Sequence, residues 1–294
     1  MLKRTIEISG YNTRLSLRNR QVIVEKDGEN VGQFPAEDVG MLIIDSPTAQ
    51  YTHKTLISLI ENGAIILLCG DSHLPEAFLT PCNANSIQTE RLAAQVNVKL
   101  PVRKRLWQQL IKTKIKNQAS NIDDDESSER LKSMADKVRS GDPNNVEAQA
   151  ARFYWSVWLE DKPFRRQREG EPPNNLLNYG YTILRAAVAR AIAGAGLHPS
   201  IGLHHHNRYD TFCLADDLME PFRPLVDRHV REMFAYGLDM INKETKQELL
   251  SILLEPVGFR DSKGPLFVEL EKMTASLVRC FTGESEKLEI PELV

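Results

Sequence analysis

The spacing of apolar residues changes period once along this chain, and that change constrains the fold more than any other feature. Up to about residue 75 the apolar positions alternate or run together. Arg4-Thr-Ile-Glu-Ile, Thr13-Arg-Leu-Ser-Leu and Gln21-Val-Ile-Val-Glu read as strands, separated by turn residues at 10–12, Asn19 and Asp27-Gly28. Residues 31–34 and 40–44 add two more strands. Residues 52–62 take helical spacing and stop at Asn62-Gly63, and 64–69 is the continuous apolar run of a buried strand. Prolines and polar residues over 75–85 then break the pattern, and the period beyond them is helical almost throughout. The expected fold is α+β in two domains: a small β-rich domain over 1–75, a linker over 76–87, and a larger all-α domain over 88–294.

The helical part carries the chemistry. Residues 88–119 form a long periodic stretch. Within it Lys99, Arg103, Lys104, Arg105, Lys112, Lys114 and Lys116 occur without a single acid, which fits either a phosphate-facing surface or a solvated helix face. An acidic run at 121–126 marks a turn. Asp142-Pro143 is the pattern of an N-cap followed by proline at the first helical position. Beyond it Glu147, Ala151, Tyr154 and Trp158 share one helical face. That carboxylate either borders a buried stripe and needs a cationic partner, or is a first-turn glutamate favoured by the helix dipole. A charged loop follows, with Lys162, Arg165, Arg166 and Arg168 around Phe164. Asn174 or Asn175 is placed to cap a small-sided helix through Ala193 that contains Arg185 and Arg190.

Residues 196–226 then gather His198, His204, His205, His206, Asp217 and Glu220 after a glycine- and proline-containing loop. Asp217 and Glu220 are three apart and share a helical face, with His205 just upstream. A loop imidazole and helical carboxylates are a usual donor set for a hard divalent ion. Consecutive histidines cannot all turn to one ion, and the two-histidine helix of zinc proteases is missing. Asp217 can equally cap a helix, since Asp-x-x-Glu is capping-box-like and Pro221 is tolerated in a first turn. Further helices are expected over 225–242, 246–254 and 266–281, with Pro256-Val-Gly and Lys263-Gly-Pro as breaks and a fraying tail over 284–294. Asp227, Arg231 and Glu232 read as structural pairs, and His53 and His73 as surface histidines.

A net charge of −3 argues against a generally basic nucleic-acid binder, so any DNA-binding surface has to be regional. No apolar run reaches transmembrane length, no leader pattern opens the sequence, and four scattered cysteines (Cys69, Cys82, Cys213, Cys280) suit a reducing compartment; a cytoplasmic protein without a membrane partner is expected.

The run Gly196-Leu-His-Pro-Ser-Ile-Gly-Leu-His-His, followed by Leu214-Ala-Asp-Asp-Leu-Met-Glu-Pro-Phe-Arg-Pro, resembles the signature of CRISPR-associated protein one, the integrase of CRISPR adaptation. Glu147, at a helix start with Ala150-Ala151 and an aromatic, is similar to that family's first metal-binding glutamate. The resemblance runs through the whole chain in order. His198 and the Leu203-His204 pair depart from the commonest pattern and, with Asn207, resemble the type II branch. The resemblance implies Glu147, His205 and Glu220 as metal ligands, with Asp217 at or beside the catalytic site, and Mg²⁺ or Mn²⁺ as cofactor. It implies insertion of protospacer DNA into a CRISPR repeat array by attack of a DNA 3′-hydroxyl on a phosphodiester, with endonuclease activity when water replaces the hydroxyl. It also implies double-stranded DNA as partner, a homodimer formed through the β-rich domains, a heterohexamer with CRISPR-associated protein two, and contact with other type II adaptation proteins. Arg152, Arg165, Arg166, Arg168, Arg185 and Arg190 are the candidate phosphate-binding residues near the metal. A stand-alone metal-dependent nuclease for branched DNA and a non-catalytic DNA-binding scaffold are the competing readings.

Overall fold

The computed structural model describes residues 3–293 except 72, 74, 82–84, 160–163 and 168–169. The chain divides into two units, Met1–Gln88 and Thr89–Val294.

The first unit holds strands β1 (Arg4–Ser9), β2 (Thr13–Arg18), β3 (Gln21–Lys26), β4 (Glu29–Pro35), β5 (Val39–Asp45), β6 (Gln50–Tyr51), helix α1 (His53–Glu61), then β7 (Ile65–Cys69) and β8 (Pro75–Leu79). They form two four-stranded sheets, ordered β1-β5-β7-β8 and β4-β3-β2-β6. Asn19 and Arg20, at φ 51° and 62°, make the tight left-handed turn that returns β2 onto β3, and Asp27-Gly28 does the same for β3 and β4. β5 is buried along its whole length because it is central in a parallel run, between β1 and β7. Ile8, Leu42, Ile44 and Ile66 of the first sheet share one core with Leu15, Val22 and Phe34 of the second and Leu59 of α1.

One expectation fails here. Residues 75–79, read as the start of the linker, are instead a strand antiparallel to β7. Pro75 masked it, although proline is tolerated at a strand's first position. His73 is exposed, as expected of a surface histidine, and places Nδ1 2.9 Å from the buried Asp45 carboxylate, a partner that no sequence spacing shows. Cys82 lies outside the described residues.

The second unit contains helices α2 (Gln88–Asn97), α3 (Leu100–Ser120), α4 (Asp125–Lys137), α5 (Val146–Val157), α6 (Asn174–Gly194), α7 (Cys213–Met219), α8 (Arg223–Ala235), α9 (Lys243–Ser251) and α10 (Leu266–Thr282). α6 is the buried centre, its small-sided face lying against α7, α8, α9 and α10. A Cβ on Gly180 would stand 2.5 Å from Val226 Cγ1, so glycine at this position is what lets α6 approach α8.

The unit is not all-α. β9 (Pro256–Phe259), β10 (Ser262–Pro265) and β11 (Glu292–Leu293) form a small antiparallel sheet, ordered β10-β9-β11. Its prolines and glycines read as breaks because only Val257 and Phe259 are buried in β9. The tail does not fray either: Leu288 is buried, its N–H donates to Gln109 Oε1 at 3.0 Å, and β11 pairs with β9. α8 ends at Ala235 rather than 242, where Gly237 turns the chain at φ 77°. Among the described residues no helix is long and apolar enough to cross a membrane.

One clasp in this unit couples stability to pH. His229 of α8 sets Nδ1 3.1 Å from Glu248 Oε1 of α9 and Nε2 2.5 Å from Glu255 Oε1, and Arg228 holds the other Glu255 oxygen at 2.9 Å. Burial opposes charge on His229, but hydrogen bonding and attraction from Glu255 and Glu248 outweigh it and raise the histidine above its ordinary 6.5. The hydrogen bond from His229 holds Glu255 below its ordinary 4.5. The histidine's contribution is thus complete below pH 6.5 and lost as pH rises through its folded value; that of Glu255 is complete above pH 4.5 and lost as pH falls through its own. Replacing His229 by glutamine is expected to cost about 2 kcal/mol near pH 6, as hydrogen bonds to charged groups do. In urea unfolding at a series of pH values that cost should shrink on both sides; a cost constant from pH 5 to 9 would refute the clasp.

Candidate metal centre

Four segments of the second unit deliver the site. Lys114 comes from the middle of α3, Glu147 from the first turn of α5, His205 from the loop between α6 and α7, and Asp217 and Glu220 from α7 and the 3-10 turn that follows it.

Glu147 owes its position to Asp142, whose two carboxylate oxygens accept from the N–H groups of Val146 and Glu147 at 2.9 Å. Asp142 therefore satisfies the helix start from four residues upstream. It is not the N-cap residue, and Pro143 is not the first helical residue: α5 begins at Val146 after Asn145 at φ 51°. Glu220 sits where Pro221 and Pro224 interrupt the α ladder. Neither has an N–H to donate, so the chain tightens into a 3-10 turn over Glu220–Phe222 and Arg223 N–H bonds Glu220 O. Two asparagines fasten that stretch: Asn117 of α3 donates to Pro221 O at 2.7 Å, and Asn121, at the C-terminal cap of α3, to Pro224 O at 2.6 Å.

Asp217 is fully buried and does not cap a helix. Its oxygens accept from the N–H groups of Leu203, His204 and His205 at 2.6, 3.0 and 3.3 Å, and Oδ1 lies 2.6 Å from His205 Nδ1. It thereby folds the loop and orients the imidazole at once. Gly202 makes room for this, since a Cβ there would stand 2.5 Å from His205 O and 2.9 Å from Asp217 Oδ2. The hydrogen bond to Asp217 raises His205 above its ordinary value despite burial. With Nδ1 donating to the carboxylate, the neutral ring carries its lone pair on Nε2.

Lys114 is the residue that reading the sequence missed. It belongs to the basic run of α3, yet it is 7% exposed. Nζ stands 2.5 Å from Glu147 Oε1 and 2.5 Å from Glu220 Oε2, so two glutamates distant in sequence meet at one positive charge. Helical spacing would have placed Lys114 inside α3, with Leu110 and Ile115 buried near it, but nothing in the sequence names its partners. Burial works against charge on both sides of this contact. Attraction wins: Glu220 is pulled down to about 2 by Lys114 and Arg223, and Lys114 is raised by Glu220 and Glu147.

Arg223 donates to Glu220 Oε1 at 2.8 Å and lies 4.3 Å from the centre of the Tyr181 ring. Tyr181 in turn donates to the buried Asp227, whose carboxyl burial pushes up to about 7. A polar column thus backs the site, with Asp227 in the structural pair expected of it.

Nζ of Lys114 is near Glu220 Oε2 but not aligned for a hydrogen bond, and that buried oxygen has no hydrogen-bond partner. A buried carboxylate oxygen facing the Lys114 ammonium, a second carboxylate on the same ammonium and an imidazole oriented by Asp217 are hard oxygen and nitrogen donors of the kind that fits Mg²⁺ or Mn²⁺. Among the described residues no three acidic, histidine or cysteine side chains already converge as a closed cage. A divalent ion taking both glutamates has to displace the ammonium of Lys114.

The arginine expectations divide. Arg166 is tied to Asn174 and Asn178, Arg185 pairs with Asp216 at 2.7 and 3.0 Å, and Arg190 pairs with Glu271 at 2.5 Å over the Phe267 ring. α6 is packed on most of its circumference, so its arginines meet acids of neighbouring elements, although Arg185 keeps 39% of its side chain exposed. Arg152 and Arg165 are exposed, and Arg168 lies outside the described residues. Asn174 is the first residue of α6 rather than its cap; its side chain instead accepts from Gln167 N–H at 2.9 Å.

The sequence model described as "CRISPR associated protein Cas1" matches residues 6–260. The chain is 34% identical over 287 residues to a CRISPR-associated endonuclease Cas1 of Neisseria meningitidis serogroup C, covering 96% of this chain and 93% of the relative. This chain belongs to the Cas1 family. A Cas1 endonuclease of Pyrobaculum aerophilum is 24% identical over 293 residues, covering 93% of this chain and 98% of the relative. Among solved structures, a casposase bound to integration product superposes with a TM-score of 0.79 at 19% identity, over 99% of this chain and 93% of that one. A Cas1 protein from Thermotoga maritima gives 0.74 at 18% identity, over 95% and 97%. A chain of a Cas6-RT-Cas1–Cas2 complex gives 0.80 at 17% identity, over 99% of this chain but 36% of that longer one. The β-rich front followed by a helical unit is therefore the Cas1 fold.

Proposed function

We propose that this Cas1-family chain is a divalent-metal-dependent DNA integrase and endonuclease that inserts protospacer DNA into a CRISPR repeat array. The observation that carries the reading is the meeting of Glu147 and Glu220 at one cation, next to the loop where Asp217 locks the His205 ring. The named functions of the relatives support it: the curated ones are called endonucleases, and one neighbour in fold is a casposase bound to integration product. The solved complex of Cas1-bearing chains with Cas2 supports CRISPR-associated protein two as partner. Homodimers flanking it in a heterohexamer complete the proposal.

In this reading Glu147, Glu220 and His205 would hold Mg²⁺ or Mn²⁺. When bound, the ion supplies Lewis-acid activation of a DNA 3′-hydroxyl and neutralises charge gathering on the attacked phosphodiester. Asp217 keeps Nδ1 of His205 as donor, so Nε2 stays aimed outward. Arg223, Asn117 and Asn121 hold Glu220 to one rotamer and one backbone position, so the carboxylate needs no reorganisation during reaction. Arg152 and Arg165 are the candidates left to contact DNA phosphates.

A strand-transfer assay tests this. A short duplex with free 3′-hydroxyls is expected to join a repeat-bearing plasmid in Mg²⁺ or Mn²⁺, and not with 3′-dideoxy ends or excess chelator. Cleavage of branched DNA without any joining would favour the stand-alone nuclease instead.

A further inference from the structure

We infer that His204, seated on Trp107 beside His205, is a stacking platform for an unpaired nucleobase at the DNA end being processed; the inference rests on the integrase reading above. The two rings are nearly parallel, 2° apart with centroids 4.2 Å apart. Trp107 is 4% exposed, in α3 next to the fully buried Leu106, so it is a fixed base for the stack. His204 itself is exposed. Since Trp107 covers one face of the imidazole, the accessible surface is the opposite face and the rim. The backbone beneath is pinned as well, because His204 N–H donates to the buried Asp217 at 3.0 Å. An aromatic ring held flat by another ring, on a braced loop, with its outer face open, is a ready surface for one more π-system.

Position decides which π-system. The His205 ring stands edge-on to His204, 84° and 5.7 Å between centroids, and edge-on to Trp107, 85° and 5.7 Å. A ring added to the outer face of His204 therefore lies one nucleotide's breadth from the imidazole proposed to bind metal. In duplex DNA both faces of a base are already stacked, so the occupant has to be an unpaired base at a frayed or single-stranded end. Every base has a π-face, so the platform would be sequence-tolerant. It also separates the roles of two adjacent histidines: His205 turns its nitrogen to Asp217, and His204 turns its face to Trp107 and to DNA.

The test uses a duplex with a short 3′ overhang whose terminal base is 2-aminopurine, and a second duplex that is abasic there. Wild type is expected to quench the 2-aminopurine and to bind the base-bearing end about 5- to 100-fold more tightly than the abasic one, the range for a stacked base. His204→Ala should lose both effects, whereas His204→Phe, which preserves the stack, should keep them even if alanine disturbs the loop. Equal affinity of wild type for the two ends, or quenching that survives in His204→Ala, overturns the inference alone. Wild type that binds neither end overturns it together with the integrase reading.

Discussion

Replacing Glu220 by alanine is expected to lower strand transfer at least about 10³-fold, the factor that corresponds to the several kcal/mol a bound ion contributes to a phosphoryl transition state. Glu147→Ala and His205→Ala should fall in the same range, because each removes a proposed ligand. Asp217→Asn should cost less, about 10- to 100-fold, since it acts through the ring and loop it orients. The Glu220 variant needs a stability control. Its carboxylate is the shared counter-ion of Lys114 and Arg223, so Glu220→Gln, which keeps the shape, has to be measured beside it. Duplex binding, read by anisotropy, should change little in all four variants. Full joining activity in any one of Glu147→Ala, His205→Ala and Glu220→Ala would remove that residue from the ligand set.

Lys114→Met is expected to lower the folding stability of the metal-free protein by about 3–5 kcal/mol, the cost of leaving a buried charge without its partner. Lys114 is buried and faces two carboxylates, and Glu220 keeps only Arg223 of its two cationic partners once the ammonium is gone. The same substitution should make added Mn²⁺ more stabilising than it is for wild type. A divalent ion then takes over the two glutamates without first displacing an ammonium, and ligand binding to the folded state alone adds stability by mass action. Urea unfolding with and without Mn²⁺ measures both effects. If the variant is as stable as wild type, the pairing of Lys114 is without energetic weight. If Mn²⁺ stabilises both equally, ammonium and metal do not share a site.

Much of this was legible in order along the chain. The change from period two to helical spacing places the β-rich front and the helical back where they stand, because alternation and helical repeats follow from which side of an element faces the core. Asn19, Asp27-Gly28 and Asn62-Gly63 mark real turns since so few residues tolerate those backbone angles. Four expectations misplaced a proline: Pro75, Pro256 and Pro265 were read as breaks and Pro143 as a first helical residue, but proline is excluded only where its missing N–H is needed. Around residue 75 and in the 256–265 hairpin it lies at strand ends, and at 143 it lies in a turn that Asp142 spans.

What the sequence alone determined is the set of candidate groups and their local register: Glu147 in a first helical turn, His205 in a loop, Asp217 and Glu220 one helical turn apart. Only the tertiary structure decided their partners. Asp217 turned out to brace the loop of His205 rather than cap a helix, Arg166, Arg185 and Arg190 met Asn174, Asn178, Asp216 and Glu271, and Lys114, one of seven basic residues over 99–116, became the charge at which two glutamates meet. Local periodicity reports which way a side chain faces relative to its own helix. The charge it meets there depends on which distant helix is packed across from it, and that is a property of the packing alone.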